Sequence, residues 1–169
     1  MKQLAELLNE MQQTGVISSY ALFGAIAQMR YTEPVATLDA DVLVLLPDSE
    51  QLDVLQPVYE FCRTRGYHPE GEAIRVGEWP AQFIPAFSTL TREAVEEAET
   101  VDFEGTPLRV VRAVYLAVIA LSVGRGKDFT RILSLLETGA LTRQEVGKLA
   151  AKHDLNHEWT RFEERFLAG

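Results

Sequence analysis

Two acids stand at the mouth of an apolar run: Asp39-Ala40-Asp41 leads directly into Val42-Leu43-Val44-Leu45-Leu46. The run reads as a buried strand, rich in Val and Leu. Charged groups beside such a strand cost stability unless they have a partner. Side chains alternate faces along an extended chain, so Asp39 and Asp41 project from one face, close enough to share a divalent cation. Upstream, Gly24 follows a first apolar run, Val16 to Phe23, and a loop from Tyr31 to Leu38 with Pro34 joins the two. The stretch from Tyr20 to Leu46 therefore predicts a strand, a glycine-bent corner, a short helix over Ala25 to Met29, a loop, and a second strand from Asp39 to Leu46. Two readings are open for Gly24. One is a corner where an anion can approach free backbone N–H groups; the other is a plain tight turn.

The rest of the chain falls into recognisable pieces. Leu4, Leu7, Leu8 and Met11 recur at helical spacing, giving an amphipathic helix over 2–13 that stops before Gly15. A helix from about Glu50 to Arg65 has Val54, Leu55, Val58, Phe61 and Cys62 as its inner stripe and Gly66 as its stop. Residues 72–78 and 81–84 read as two short strands, Leu90 to Ala98 as a helix capped by Thr91, and Val101 to Val111 as a strand or hairpin around Gly105. Ala113 to Val123 is apolar nearly all round and predicts a buried helix. Gly124-Arg125-Gly126-Lys127-Asp128 is a turn, with Asp128 placed to cap a helix over Phe129 to Thr138. Thr142-Arg143-Gln144-Glu145 is a capping-box pattern opening a helix to about Lys152. A last helix carries Trp159, Phe162 and Phe166 on one side. The expected architecture is α/β (α+β): a mixed sheet with flanking helices over 1–105, and a helical bundle over 106–169 packed on it.

Composition narrows the function classes. With 25 acidic against 16 basic residues, the 169-residue chain carries a net charge of −9, which argues against a broad nucleic-acid-binding surface. The longest apolar run, Ala113 to Val123, is too short to span a bilayer, and a cytoplasmic location with no membrane partner is expected. The lone cysteine, Cys62, can form no internal disulfide or thiolate cluster and reads as a small buried hydrophobe. His68, His153 and His157 show no zinc-site pattern and read as surface residues. Glu93, Glu96, Glu97 and Glu99 read as the wet face of their helix. Trp159 and Phe162 read as residues that dock the last helix.

Gly24-Ala25, followed at this distance by Asp39-Ala40-Asp41 and an apolar strand, resembles the nucleotidyltransferase fold of the DNA polymerase β superfamily. Within it, the chain is most similar to the small bacterial branch that includes AbiEii-type toxins. The resemblance implies that Asp39 and Asp41 are catalytic, metal-binding acids for Mg²⁺, and that Gly24 and Ala25 form the corner holding the phosphates of a nucleoside triphosphate. Gly124-Arg125-Gly126-Lys127-Asp128 gives a second match, to an Arg-x-Lys-Asp passage of AbiEii-like relatives. It implies that Arg125 and Lys127 reach nucleotide phosphates and that Asp128 orients them or the metal; a solvated turn with Asp128 as a helix cap is the other reading. The resemblance to this branch also implies a protein partner or antitoxin.

Three departures bear on catalysis. The family corner has Gly or Ser where this chain has Ala25, which offers no hydroxyl. Many relatives have an arginine where Val35 stands. The strand that should carry a third acid, Trp79 to Pro85, has none; Gln82 takes the matching position, and Glu78 lies near at a different spacing. Glutamine is neutral and cannot serve as a strong base. Three readings follow: a Mg²⁺-dependent transferase moving a nucleoside monophosphate from a nucleoside triphosphate to a hydroxyl; a catalytically impaired module of the same fold that binds nucleotide or a protein partner; and an unrelated α/β domain in which the two acids are surface residues.

Overall fold

A computed structural model describes residues 1–48 and 52–168. Its spine is a seven-stranded mixed sheet of order β3-β4-β5-β2-β1-β7-β6. The strands are β1 (Ser19–Leu22), β2 (Ala40–Leu45), β3 (Pro69–Glu70), β4 (Ala73–Val76), β5 (Trp79–Pro85), β6 (Glu99–Phe103) and β7 (Thr106–Val110). The helices are α1 (Lys2–Gln13), α2 (Gly24–Gln28), α3 (Gln56–Thr64), α4 (Thr89–Glu96), α5 (Ala113–Val123), α6 (Gly126–Glu137), α7 (Arg143–Lys152) and α8 (Asn156–Phe166). The α/β expectation therefore holds.

β2 lies between β1, antiparallel to it, and β5, parallel to it. Its Val42, Leu43 and Val44 are buried, as the unbroken apolar run requires of a strand covered on both faces. Opposite faces are fixed by two side chains. Tyr20 on β1 donates its hydroxyl to Asn9 Oδ1 of α1 at 2.7 Å. Arg109 on β7 sends Nη2 the other way, to the Val95 carbonyl of α4 at 2.8 Å. By alternation Asp41 shares the face of Leu43 and Ala21, the face that α4 covers, with α5 packed against α4. Asp41 is thus aimed at the C-terminal helices.

α5 is the centre of those helices. Tyr115 through Leu121 are all buried, each large apolar side chain contributing about 1.5–3 kcal/mol. Gly124 ends it in the left-handed conformation, φ 71°, which glycine adopts without strain. Phe129, Phe162 and Phe166 pack with ring centroids 5.0–5.7 Å apart and dock α8, as the sequence predicts.

Several local expectations need correction. α3 begins at Gln56, with Pro57 in its first turn, so Val54 and Leu55 precede the helix; the expected start at Glu50 falls outside the described residues. Ser88, not Thr91, caps α4, accepting the Thr91 N–H at 3.1 Å. α6 begins at Gly126, so Asp128 caps it from its third residue rather than from before it. β3 was not expected, and β5 is longer than expected because Trp79 and Pro80 already pair with β4. The turn at Gly105 is a hairpin whose second arm, Thr106–Val110, joins the sheet beside β1. His153 is not a surface residue: its side chain is 9% exposed and bonds Glu93. Nor is Glu93 part of a wet face, since it also accepts from Tyr115 and Lys152. Cys62 is buried, as expected, and burial pushes its thiol up to about 12.

Candidate functional site

The two acids open onto a cleft of about 900 Å³ between the end of β2 and α6. That volume suits a ligand of nucleotide size. Ala25 and Gln28 of α2 line one part, the loop from Val35 to Leu38 another, and Lys127, Thr130, Arg131 and Ser134 of α6 the side across from the acids. β2 begins at Ala40 rather than at Asp39 as expected, so Asp39 sits in the bend before the strand; Asp39 and Asp41 both line this space nonetheless.

Gly24 explains how Asp41 is seated. Its φ is 62°, and a Cβ added there would lie 2.2 Å from Asp41 Oδ2. Glycine is needed twice, for the backbone bend and for the room that the carboxylate takes. The Phe23 N–H donates to the Asp41 carbonyl at 2.9 Å, locking the corner to the strand. Asp39 is more open; the Thr37 hydroxyl donates to its carbonyl at 2.9 Å.

Burial first, and then the neighbouring Asp39 carboxylate, push Asp41 above the ordinary carboxylate range, against the pull of Arg131, Lys127 and Arg125. The ionised pair is therefore under electrostatic pressure that a cation between the carboxylates would relieve. A hard divalent ion such as Mg²⁺ suits two carboxylates that leave room for water and substrate oxygens. The donor set fits such an ion at two positions. Among the described residues no third His, Cys, Asp or Glu completes a metal cluster.

Gln82 pairs in register with Asp41 across the parallel β2–β5 ladder, so both side chains leave the same face. It opens into an adjoining hollow of about 320 Å³ that shares Leu38 and Asp39 with the main cleft and adds Glu70 and Glu72. Glu78 is exposed in the β4–β5 turn and lines neither space.

The Arg125 to Asp128 passage divides in two. Asp128 is buried and accepts from the Arg125 backbone N–H at 3.2 Å and from its Nε at 2.7 Å. Burial alone would raise Asp128, but these bonds hold its carboxyl below the usual range. Arg125 is thereby tied to α6 and is not among the residues lining the cleft. Lys127 does line it and is exposed.

Sequence reasoning passed over two cleft residues. Arg131 is half-buried, and its Nε donates to Gln28 Oε1 at 2.9 Å. Gln28 is only 5% exposed. A signal for Arg131 exists in retrospect: Lys127, Thr130, Arg131 and Ser134 form a polar stripe at i, i+3, i+4 and i+7, and every other residue between Phe129 and Leu136 is apolar. Gln28 is the lone polar residue of α2.

The fold is nucleotidyltransferase-like. The chain superposes on the crystal structure of an antigenic nucleotidyltransferase-like protein from Paracoccidioides brasiliensis with a TM-score of 0.56 and 12% identity, covering 94% of this chain and 93% of that one. The solution structure of the antibiotic-resistance factor ANT(2'')-Ia is similar at a TM-score of 0.49 and 13% identity, over 99% of this chain and 92% of that one. No family model matches the chain, and no curated protein matches it by sequence. Among the described residues no helix is long and apolar enough to cross a membrane.

Proposed function

We propose that the cleft binds a nucleoside triphosphate with Mg²⁺ and that the chain transfers a nucleoside monophosphate to a hydroxyl acceptor. One observation carries this reading: Asp41, seated against Gly24 where no Cβ fits, lines the same space as Asp39. In this reading Asp39 and Asp41 hold the metal, and Gly24 and Ala25 form the corner beside the phosphates. Lys127 supplies positive charge from α6, while Arg125 and Asp128 fix the start of that helix. The metal, when bound, neutralises charge that develops on the transferring phosphate. The likeness of Asp39-Ala40-Asp41 and of Arg125-Gly126-Lys127-Asp128 to the AbiEii-like branch supports a protein partner or antitoxin as a further part of the reading.

A second reading has its own observation. Gln82 stands at the Asp41 register where a third acid is expected, so the residue that would activate an attacking hydroxyl is neutral. The chain is then a binding module for nucleotide or a protein partner. Incubation with each α-labelled nucleoside triphosphate, Mg²⁺ and candidate acceptors separates the two. Label transfer by the wild type and none by the Asp39→Ala/Asp41→Ala variant supports transfer. Nucleotide binding without label transfer supports the module, and equal label in both proteins removes the transferase reading.

A further inference from the structure

Among the described residues Arg131 is a cation without a counter-ion. Among the described residues no carboxylate lies within ion-pair distance of it, whereas Arg125 is held by Asp128 and Arg30 by Glu99. Its guanidinium has five N–H donors in one plane, and Gln28 takes the one on Nε. Among the described residues no buried side-chain nitrogen lacks a hydrogen-bond partner. The two terminal nitrogens of Arg131, which have no hydrogen-bond partner among the described residues, are therefore open to solvent, and the residue lines the cleft. Burial works against the charge on Arg131, with Asp128 and Asp41 helping to keep it. A half-buried charge of this kind is expensive to hold unpaired. Gln28 fixes the plane of the guanidinium without cancelling its charge; a carboxylate at the same position would close an ion pair.

We infer that Gln28 and Arg131 form a prebuilt anion site, in which Gln28 is a positioning residue and Arg131 receives polyphosphate oxygens. The inference rests on the nucleotide reading of this cleft and adds to it a residue outside the recognised motifs. The charge layout selects the ligand class. A planar guanidinium suits either a carboxylate or a phosphate. A simple carboxylate would meet Asp39 and Asp41 across the same space with nothing to offset the repulsion. A metal-bridged polyphosphate brings a cation to the acids and leaves oxygens for the arginine.

The test is calorimetric titration with inorganic triphosphate and MgCl₂, which needs no turnover. It compares the wild type with Arg131→Ala, Arg131→Lys and Gln28→Glu, each checked by circular dichroism and thermal unfolding. Arg131→Ala is expected to weaken binding about tenfold to a hundredfold, the range for a charge-assisted contact. Arg131→Lys recovers part of it, since an ammonium is a point charge without the fork. Gln28→Glu is expected to weaken binding while Tm stays level or rises, because the new ion pair quenches Arg131; a purely structural glutamine would not give that split. Should Arg131→Ala fail to fold, the Gln28→Glu result decides. Triphosphate binding that is equal in wild type and variants, or undetectable in the wild type, overturns the inference. Label transfer whose KM for nucleotide ignores Arg131 sinks this proposal and leaves the activity standing; Arg131-dependent triphosphate binding without label transfer does the reverse.

Discussion

Gly24 and Asp41 occupy each other's space: the position a Cβ of residue 24 would take is 2.2 Å from Asp41 Oδ2. Gly24→Ala therefore combines two penalties. A non-glycine residue in the left-handed region costs about 1–3 kcal/mol, and the carboxylate must move. The expected outcome is a lower Tm together with a loss of Mg²⁺-nucleotide affinity of roughly tenfold or more. Calorimetry on the folded fraction checks this; a variant that is destabilised yet binds normally would show that the position of Asp41 does not matter to the site.

Asp41 gives a pH signature. Its carboxyl is held above the ordinary range by burial and by Asp39, so the folded state binds a proton more readily than the unfolded chain. The sign follows: the group lowers stability once pH rises above its unfolded value, and this deficit is absent in acid, where both states are protonated. Asp41→Asn is expected to raise Tm of the metal-free protein at neutral pH, with the gain fading as pH falls. The same substitution is expected to abolish the Mg²⁺-dependent shift in Tm. Thermal scans from acid to neutral pH, with and without Mg²⁺, measure both effects.

Gln82 offers a gain-of-function test. It pairs in register with Asp41, and both side chains leave one face. Gln82→Asp is expected to tighten Mn²⁺ or Mg²⁺ binding roughly tenfold, since charge count among the ligands tunes affinity. It is also expected to lower metal-free stability by placing a third like charge beside Asp39 and Asp41. A metal titration that shows no change places Gln82 outside the ligand sphere.

Glu93 ties α4 to the C-terminal helices. It accepts from Tyr115 Oη at 2.7 Å and Lys152 Nζ at 2.6 Å, and contacts His153 Nε2 at 3.1 Å. The bonds from Lys152 and Tyr115 hold its carboxyl below the usual range, so its contribution is full above the ordinary carboxylate value and is lost as pH falls below it. Glu93→Ala is expected to cost about 1–3 kcal/mol at neutral pH, and the gap from wild type should narrow below about pH 4. Denaturant unfolding at the two pH values decides the matter.

Much of this architecture was legible because it rests on short-range patterns. The period of α1, the all-apolar α5, the box at Thr142 and Glu145, and the Asp39-Ala40-Asp41 entry to β2 each carry their own local signal. What stayed hidden depends on contacts distant in sequence. His153 and Glu93 are 60 residues apart, and nothing local distinguishes them from solvated side chains. Arg131 and Gln28 are 103 residues apart, so neither helix alone reveals their bond. The apolar spacing of α3 continues upstream of Pro57 to Val54 and Leu55, which lie outside the helix, so local periodicity does not mark its start.

The strand that bears Asp41, with Asp39 just before its start, runs in the middle of the sheet, clasped by β1 on one side and β5 on the other. Shifting its backbone would break two ladders at once, so the Asp41 carboxylate is anchored to a strand paired on both edges. The opposing wall is mounted on a single helix whose first turn is pinned by Arg125 and Asp128. A guest in the cleft would therefore meet Asp41 on a strand held from both sides, and Lys127 and Arg131 on a helix held at its first turn.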